Sequence, residues 1–318
     1  MAIPHSLNDK VVLVTGALTA VGQQLSREIA SLGAFVSLVD TQADGSGEQL
    51  AGSINAHTGR NSAIYLQTDL RQSQDIRLMI EATVLTFGRL DVLVNNAQSI
   101  TDDMCGEEDV QRISDSIDVN LRAPVVATWV FARYLRQAER RGVVVNVAAM
   151  AGLVPGRGRE VYGAANAGLI HFTEANRELA NEIRVCALAP YYLDGLDQGG
   201  RLLPGNRLGK ALTLSPEQVV NAVIRCIGDE RLRGRTLLMA GGSSYTHTWS
   251  GLLARLHMFF IMLWSLVALL FARIFRRPAA AAAAARHAVP EDEAFADGVS
   301  SDATPASTTE DGTAKKTS

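Results

Sequence analysis

KVVLVTGALTAVGQQL, residues 10–25, sets a β-branched apolar run beside a glycine-containing turn, TGALTAVG at 15–22, and the start of an amphipathic stretch. Consecutive apolar residues with branched Cβ atoms favour a strand buried on both faces. Thr15 and Gly16 open the turn and Gly22 closes it. Glycine there lets backbone approach a phosphate closely, and the helix that follows presents free amides to negative charge. Asp40 ends the next apolar run, 18 residues beyond Gly22. A carboxylate at that place accepts hydrogen bonds from an adenosine ribose and repels a 2′-phosphate. No Arg or Lys lies near either loop, so NAD(H) is expected over NADP(H).

Outward from that unit, short β-branched runs alternate with amphipathic stretches as far as about residue 241. Strands are expected at Val11–Val14, Phe35–Val39, Ser62–Gln67, Val92–Asn95, Val143–Val147, Arg184–Ala189 and Thr236–Ala240. Helices are expected around 20–32, 44–58, 73–87, 107–139, 161–181 and 216–227. Nearly all-apolar strands separated by helices imply an α/β fold with a doubly wound parallel sheet, Rossmann-like, in a single domain over 1–250.

The chain of 318 residues has a formal charge of −3, and that near-neutral total conceals three unlike segments. Residues 1–251 sum to −3, residues 252–277 to +4 and residues 278–318 to −4. No basic stripe exists to neutralise a phosphate backbone, so no nucleic-acid partner is expected. Cys105, Cys186 and Cys226 are far apart, without a metal-ligand spacing, and read as reduced structural cysteines with no metal. The N-terminus MAIPHSLNDK has no secretory pattern.

Residues 252–275, LLARLHMFFIMLWSLVALLFARIF, hold 17 residues without formal charge between Arg255 and Arg273. That is near the lower limit for crossing a bilayer. Residues 251–277 are read as a transmembrane or membrane-interface helix that contacts membrane lipid, with the α/β domain facing the cytosol. A buried soluble helix is the alternative. The arginines flanking the segment leave the side of the tail open. Residues 278–318, seven alanines followed by an acidic stretch rich in Ser, Thr, Gly and Pro, read as a disordered tail.

Further residues then carry a resemblance. TGALTAVG matches TGxxxGxG with Ala20 at the middle glycine; Asp69-Leu70 matches an adenine-contacting pair; Asn95-Asn96-Ala97 matches NNAG with Gln98 for Gly. Asn120 in DVNL matches a helix asparagine of a proton relay, and Tyr162 in YGAAN matches a catalytic tyrosine. Over roughly residues 7–245 the sequence resembles the short-chain dehydrogenase/reductase family. The resemblance implies cofactor contacts at Thr15, Gly16, Gly22, Asp40, Asp69, Leu70, Asn95, Ala97 and Asn166, and catalytic positions at Tyr162 and Asn120. It also implies a homo-oligomer built through the helices around 107–139 and 161–181, or a hetero-oligomer with an active member of the family.

The catalytic set departs from the family pattern. Thirteen residues before Tyr162 the serine position holds Ala149, and four residues after it the lysine position holds Asn166. An unperturbed phenol has a pKa of about 10 and needs a nearby cation to work as a base near neutrality. Only four lysines occur in the chain, Lys10, Lys210, Lys315 and Lys316, and none is placed beside Tyr162. Arg157 and Arg159 are the nearest cations in sequence. The Pro-Gly that usually contacts nicotinamide is Pro190-Tyr191, and the nearby threonine position is Gly195. The adenosine half is therefore largely present and the nicotinamide half eroded. The reading is a membrane-associated NAD(H)-binding protein whose dehydrogenase chemistry is lost or weakened, acting as scaffold, regulator or partner subunit. The alternatives are an active NAD-dependent oxidoreductase on a lipophilic alcohol or ketone, and an interaction protein that no longer binds nucleotide.

Overall fold

A computed structural model describes residues 7–100, 110–156, 158–177, 182–193, 213–240 and 243–247, with 263 and 267. The chain divides into two compact units, Met1–Ala254 and Arg255–Ser318. In the first unit the strands are β1 (Val11–Thr15), β2 (Phe35–Asp40), β3 (Ala63–Gln67), β4 (Val92–Asn95), β5 (Gly142–Val147) and β6 (Ile183–Pro190). Two short strands, β7 (Tyr192–Leu193) and β8 (Thr213–Leu214), pair with each other, and β9 (Thr236–Ala240) and β10 (Ser243–His247) complete the main sheet.

The main sheet has eight strands in the order β10-β9-β6-β5-β4-β1-β2-β3. Seven run parallel, as the apolar runs imply, and β10 is antiparallel to β9. The extra strand was not expected: its sequence, SSYTH, is polar, and only pairing against the edge of β9 makes it a strand. Strand order reverses on either side of β1, which opens a crevice at its C-terminal end where TGALTAVG lies.

The helices are α1 (Ala20–Ser31), α2 (Ser46–Thr58), α3 (Ser73–Phe87), α4 (Val110–Ile117), α5 (Ala123–Gln137), α6 (Glu160–Ala175) and α7 (Pro216–Gly228). Side chains alternate along the central strands, and there both faces are buried. Val12 and Val14 join Leu25, Ile29 and Val223 in one core, while Val11 and Leu13 join Ile80, Phe131 and Leu135 in the other. Cys186 and Cys226 are free thiols inside the first core. Cys105 lies outside the described residues.

The single helix expected over 107–139 is instead α4 and α5 joined by a π-helical turn, Asp118–Arg122. The wider turn rotates Asn120 inward, where its side chain is buried. The helix expected to run to 181 ends at Ala175, where Asn176 caps it through backbone bonds to Phe172, Thr173 and Glu174. Among the described residues no helix is long and apolar enough to cross a membrane. The segment 252–275 lies outside the described residues except Leu263 and Val267, both helical. The tail over 278–318 lies outside them too.

Candidate functional site

Thr15 ends β1 and knots the crevice. Its hydroxyl accepts from the amides of Asn96 (3.0 Å) and Ala97 (3.2 Å), while Asn96 Nδ2 donates to the carbonyls of Thr15 (3.2 Å) and Gly16 (3.0 Å). The loop after β4 is thereby pulled onto the glycine turn. Gly16 has φ +63°, and a Cβ there would stand 2.7 Å from Ala97 Cα. A Cβ on Gly22 would stand 2.1 Å from the Gly16 carbonyl oxygen. Thr19 caps α1 by accepting from the Gly22 amide at 3.1 Å. That leaves the first-turn amides ahead of Gly22 as the donors an anion would meet. At both glycines a Cβ would collide with the chain's own backbone, and the tight turn so formed, ahead of the α1 N-terminus, fits the diphosphate of a dinucleotide. We expect Gly22→Ala to destabilise the chain by at least about 2 kcal/mol and to abolish nucleotide-induced stabilisation, as chemical denaturation with and without NAD(H) will read.

Asp40 closes β2 beside this turn. Its carboxylate accepts from the amides of Leu18 (2.9 Å) and Thr41 (2.8 Å), so it is held facing the glycine turn. The surroundings are acidic: burial first, then the charges of Asp40, Glu48 and Asp44, push the Tyr65 phenol up to about 12. Asp69 is engaged by Arg71 through Nε (2.9 Å) and Nη2 (2.9 Å), and Arg71 also reaches Asp115 at 2.9 Å. That hydrogen bonding holds the Asp69 carboxyl below its usual range, so it is anionic at neutral pH. Leu70 is buried beside it. Asn95 points into the sheet, its Nδ2 donating to Asn146 Oδ1 at 2.8 Å.

The other half of the crevice brings Ala149, Tyr162 and Asn166 together on the turn after β5 and on α6. A Cβ on Gly152 would stand 2.6 Å from Ala167 N, and one on Gly163 2.9 Å from the Ala151 oxygen, so turn and helix are pressed together. Tyr162 is 1% exposed. Its hydroxyl donates to Gln98 Oε1 at 2.9 Å, and Gln98 Nε2 in turn donates to the carbonyls of Val147 (3.2 Å) and Ala148 (3.4 Å). Burial pushes the phenol up to about 12; Arg159 and Asn166 pull it down without reversing that. Arg157 lies outside the described residues. Asn166 turns its amide onto its own helix, donating to the Tyr162 carbonyl at 2.8 Å.

Asn120 is committed as well: its Oδ1 accepts from Ser99 N at 3.0 Å, and its Nδ2 donates to the Ser99 carbonyl (2.5 Å) and to Ser116 Oγ (3.0 Å). Its amide ties the loop after β4 to the π-helical turn, where a relay would need it open. Tyr191 N donates to the Met239 carbonyl at 2.9 Å, and Gly195 lies outside the described residues. Gln98 is the residue sequence reasoning passed over. It was visible as a replacement for glycine in NNAG, and the signal was its length, enough to cross from β4 to α6.

Comparison with known proteins agrees with this layout. The short chain dehydrogenase family profile matches residues 10–198. The chain is 30% identical over 243 residues to the short chain dehydrogenase helC of Aspergillus fumigatus, covering 71% of this chain and 93% of that protein. It is 26% identical over 247 residues to 15-hydroxyprostaglandin dehydrogenase [NAD(+)] of Mus musculus, covering 72% and 88%. The crystal structure of NAD+-bound xylitol dehydrogenase superposes with a TM-score of 0.65 at 23% identity, covering 74% of this chain and 98% of that one.

Proposed function

The chain belongs to the short-chain dehydrogenase family, and from that membership we propose that it binds NAD(H) while its dehydrogenase or reductase step is lost or strongly weakened. One observation carries the reading: the Tyr162 hydroxyl is buried and donates to Gln98. When bound, NAD+ supplies a hydride acceptor, and the protein must then take the hydroxyl proton of the substrate. A phenol of pKa about 12 is deprotonated to only about one part in 10⁵ at pH 7. Ala149 has no hydroxyl to hold a substrate oxygen, and Asn166 carries no charge to lower the phenol.

NAD(H) is favoured over NADP(H) by Asp40 and the acidic field around Tyr65, which oppose a 2′-phosphate. The NAD(+) in the name of the mouse relative leans the same way. Replacing Asp40 by Ser removes that charge while keeping an acceptor for Thr41. The preference for NADH over NADPH should fall at least about tenfold, read by fluorescence titration of the two cofactors.

The apolar run 252–275 supports association with a membrane, with the α/β domain on the cytosolic side, and the silent catalytic half suits a scaffold, regulator or partner subunit within an oligomer. Arg159 is the one observation favouring retained turnover on a lipophilic alcohol or ketone. It is buried and close enough to pull the phenol's pKa down, though burial outweighs it. The full chain with NAD+ at 100 times its dissociation constant should gain about 2.7 kcal/mol of stability yet show no turnover on a panel of alcohols and ketones. Robust turnover abolished by Tyr162→Phe refutes the loss of chemistry, and absence of stabilisation refutes nucleotide binding.

A further inference from the structure

The two halves of the crevice differ in what they leave for a ligand. On the adenosine side, the glycine turn packs backbone on backbone, and the first-turn amides of α1 ahead of Gly22 are the donors a phosphate would meet. On the other side, the polar groups a nicotinamide riboside needs already bond to the protein. Tyr162 Oη is bonded to Gln98 Oε1, Gln98 Nε2 to the carbonyls of Val147 and Ala148, and Asn166 Nδ2 to the Tyr162 carbonyl. Asn120 is consumed by Ser99 and Ser116. Gln98 stands where the family pattern has a residue without a side chain, and it bridges the ends of β4 and β5 to α6.

Resting on the reading of an adenine-nucleotide site, we propose that Gln98 latches the nicotinamide half shut, so that the site recognises the adenosine 5′-diphosphate moiety alone. ADP-ribose and ADP are then ligands on a par with NAD(H), and the nicotinamide adds nothing to binding. The bond from Tyr162 to Gln98 must break before the phenol can meet any riboside hydroxyl, and Gln98 Nε2 must leave two carbonyls at the C-terminal end of β5. Binding of NAD(H) through its adenosine end alone requires none of this.

Calorimetric titration of the full-length chain in detergent with NAD+, ADP-ribose and ADP tests the proposal. The dissociation constants for NAD+, ADP-ribose and ADP should agree within about fivefold in the wild type. Gln98→Ala and Gln98→Gly should each tighten NAD+ by more than about fivefold while leaving ADP, which lacks the second ribose, unchanged. Wild-type NAD+ or ADP-ribose binding more than about fivefold tighter than ADP overturns the latch and leaves the nucleotide reading standing. Variants that tighten NAD+ and ADP alike, or neither, also overturn it. If none of the three ligands binds, the nucleotide reading itself fails. The wild-type comparison needs no variant to fold.

Discussion

Gln98→Gly combined with Ala149→Ser and Asn166→Lys should raise NAD-dependent turnover about a thousandfold over the native chain. Each substitution acts on a different feature of the proposed site. Lysine at 166 places a cation one helical turn from Tyr162, which favours the phenolate and lowers a pKa now pushed up to about 12 by burial. Serine at 149 returns a hydroxyl to the turn that α6 is pressed against. Glycine at 98 removes the acceptor that holds the Tyr162 hydroxyl at 2.9 Å. The effects are coupled through one phenol, so Ala149→Ser with Asn166→Lys alone should recover only part of the gain. The pH dependence provides a second check. Any residual alcohol oxidation by the native chain needs the deprotonated phenol and should keep rising, about tenfold per pH unit, toward pH 12. The triple variant should level off at lower pH. NADH absorbance from neutral to strongly alkaline pH measures both. A native rate matching the triple variant, or a native profile that is flat above neutrality, contradicts the assignment.

Arg184→Met should destabilise the α/β unit by about 3–5 kcal/mol, enough to lower the melting temperature by roughly 10 °C. Arg184 is only 6% exposed, on a strand where its neighbours are core residues. Its guanidinium donates to the carbonyls of Cys226 (2.7 Å), Ile227 (2.5 Å) and Asp229 (3.0 Å), closing the C-terminus of α7. The last carbonyls of a helix have no intrahelical donor, and the charge also suits the negative end of the dipole. Methionine keeps much of the volume but leaves buried carbonyls unpaired. Arg184→Lys, with three donors on one atom, should recover less than half of the loss. Equilibrium denaturation of the three proteins decides the matter; a methionine variant within about 1 kcal/mol of wild type contradicts the capping role.

Much of the fold was legible because its signals are local. β-branched runs such as Val11–Val14 and Val92–Asn95 declare strands through side-chain shape and alternation, and six of the expected helix positions coincide in whole or part with helices. The misses have a common cause. SSYTH carries no apolar pattern, so β10 exists only because β9 offers an unpaired edge. The π-helical turn at Asp118–Arg122 interrupts what reads as one amphipathic stretch, since inserting Asn120 toward Ser99 depends on a loop from elsewhere in the chain.

The sequence by itself determined the parallel α/β sheet, the glycine turn with Asp40 beyond it, and the alanine and asparagine at 149 and 166. These follow from residue type and spacing along a few dozen residues. Only the tertiary structure decided what the remaining tyrosine does. Gln98 and Tyr162 are 64 residues apart and meet because β4 and β5 are neighbours and α6 packs over their ends. Hydrogen bonding and burial at that meeting point, rather than anything local to YGAAN, raise the phenol's pKa and occupy its proton.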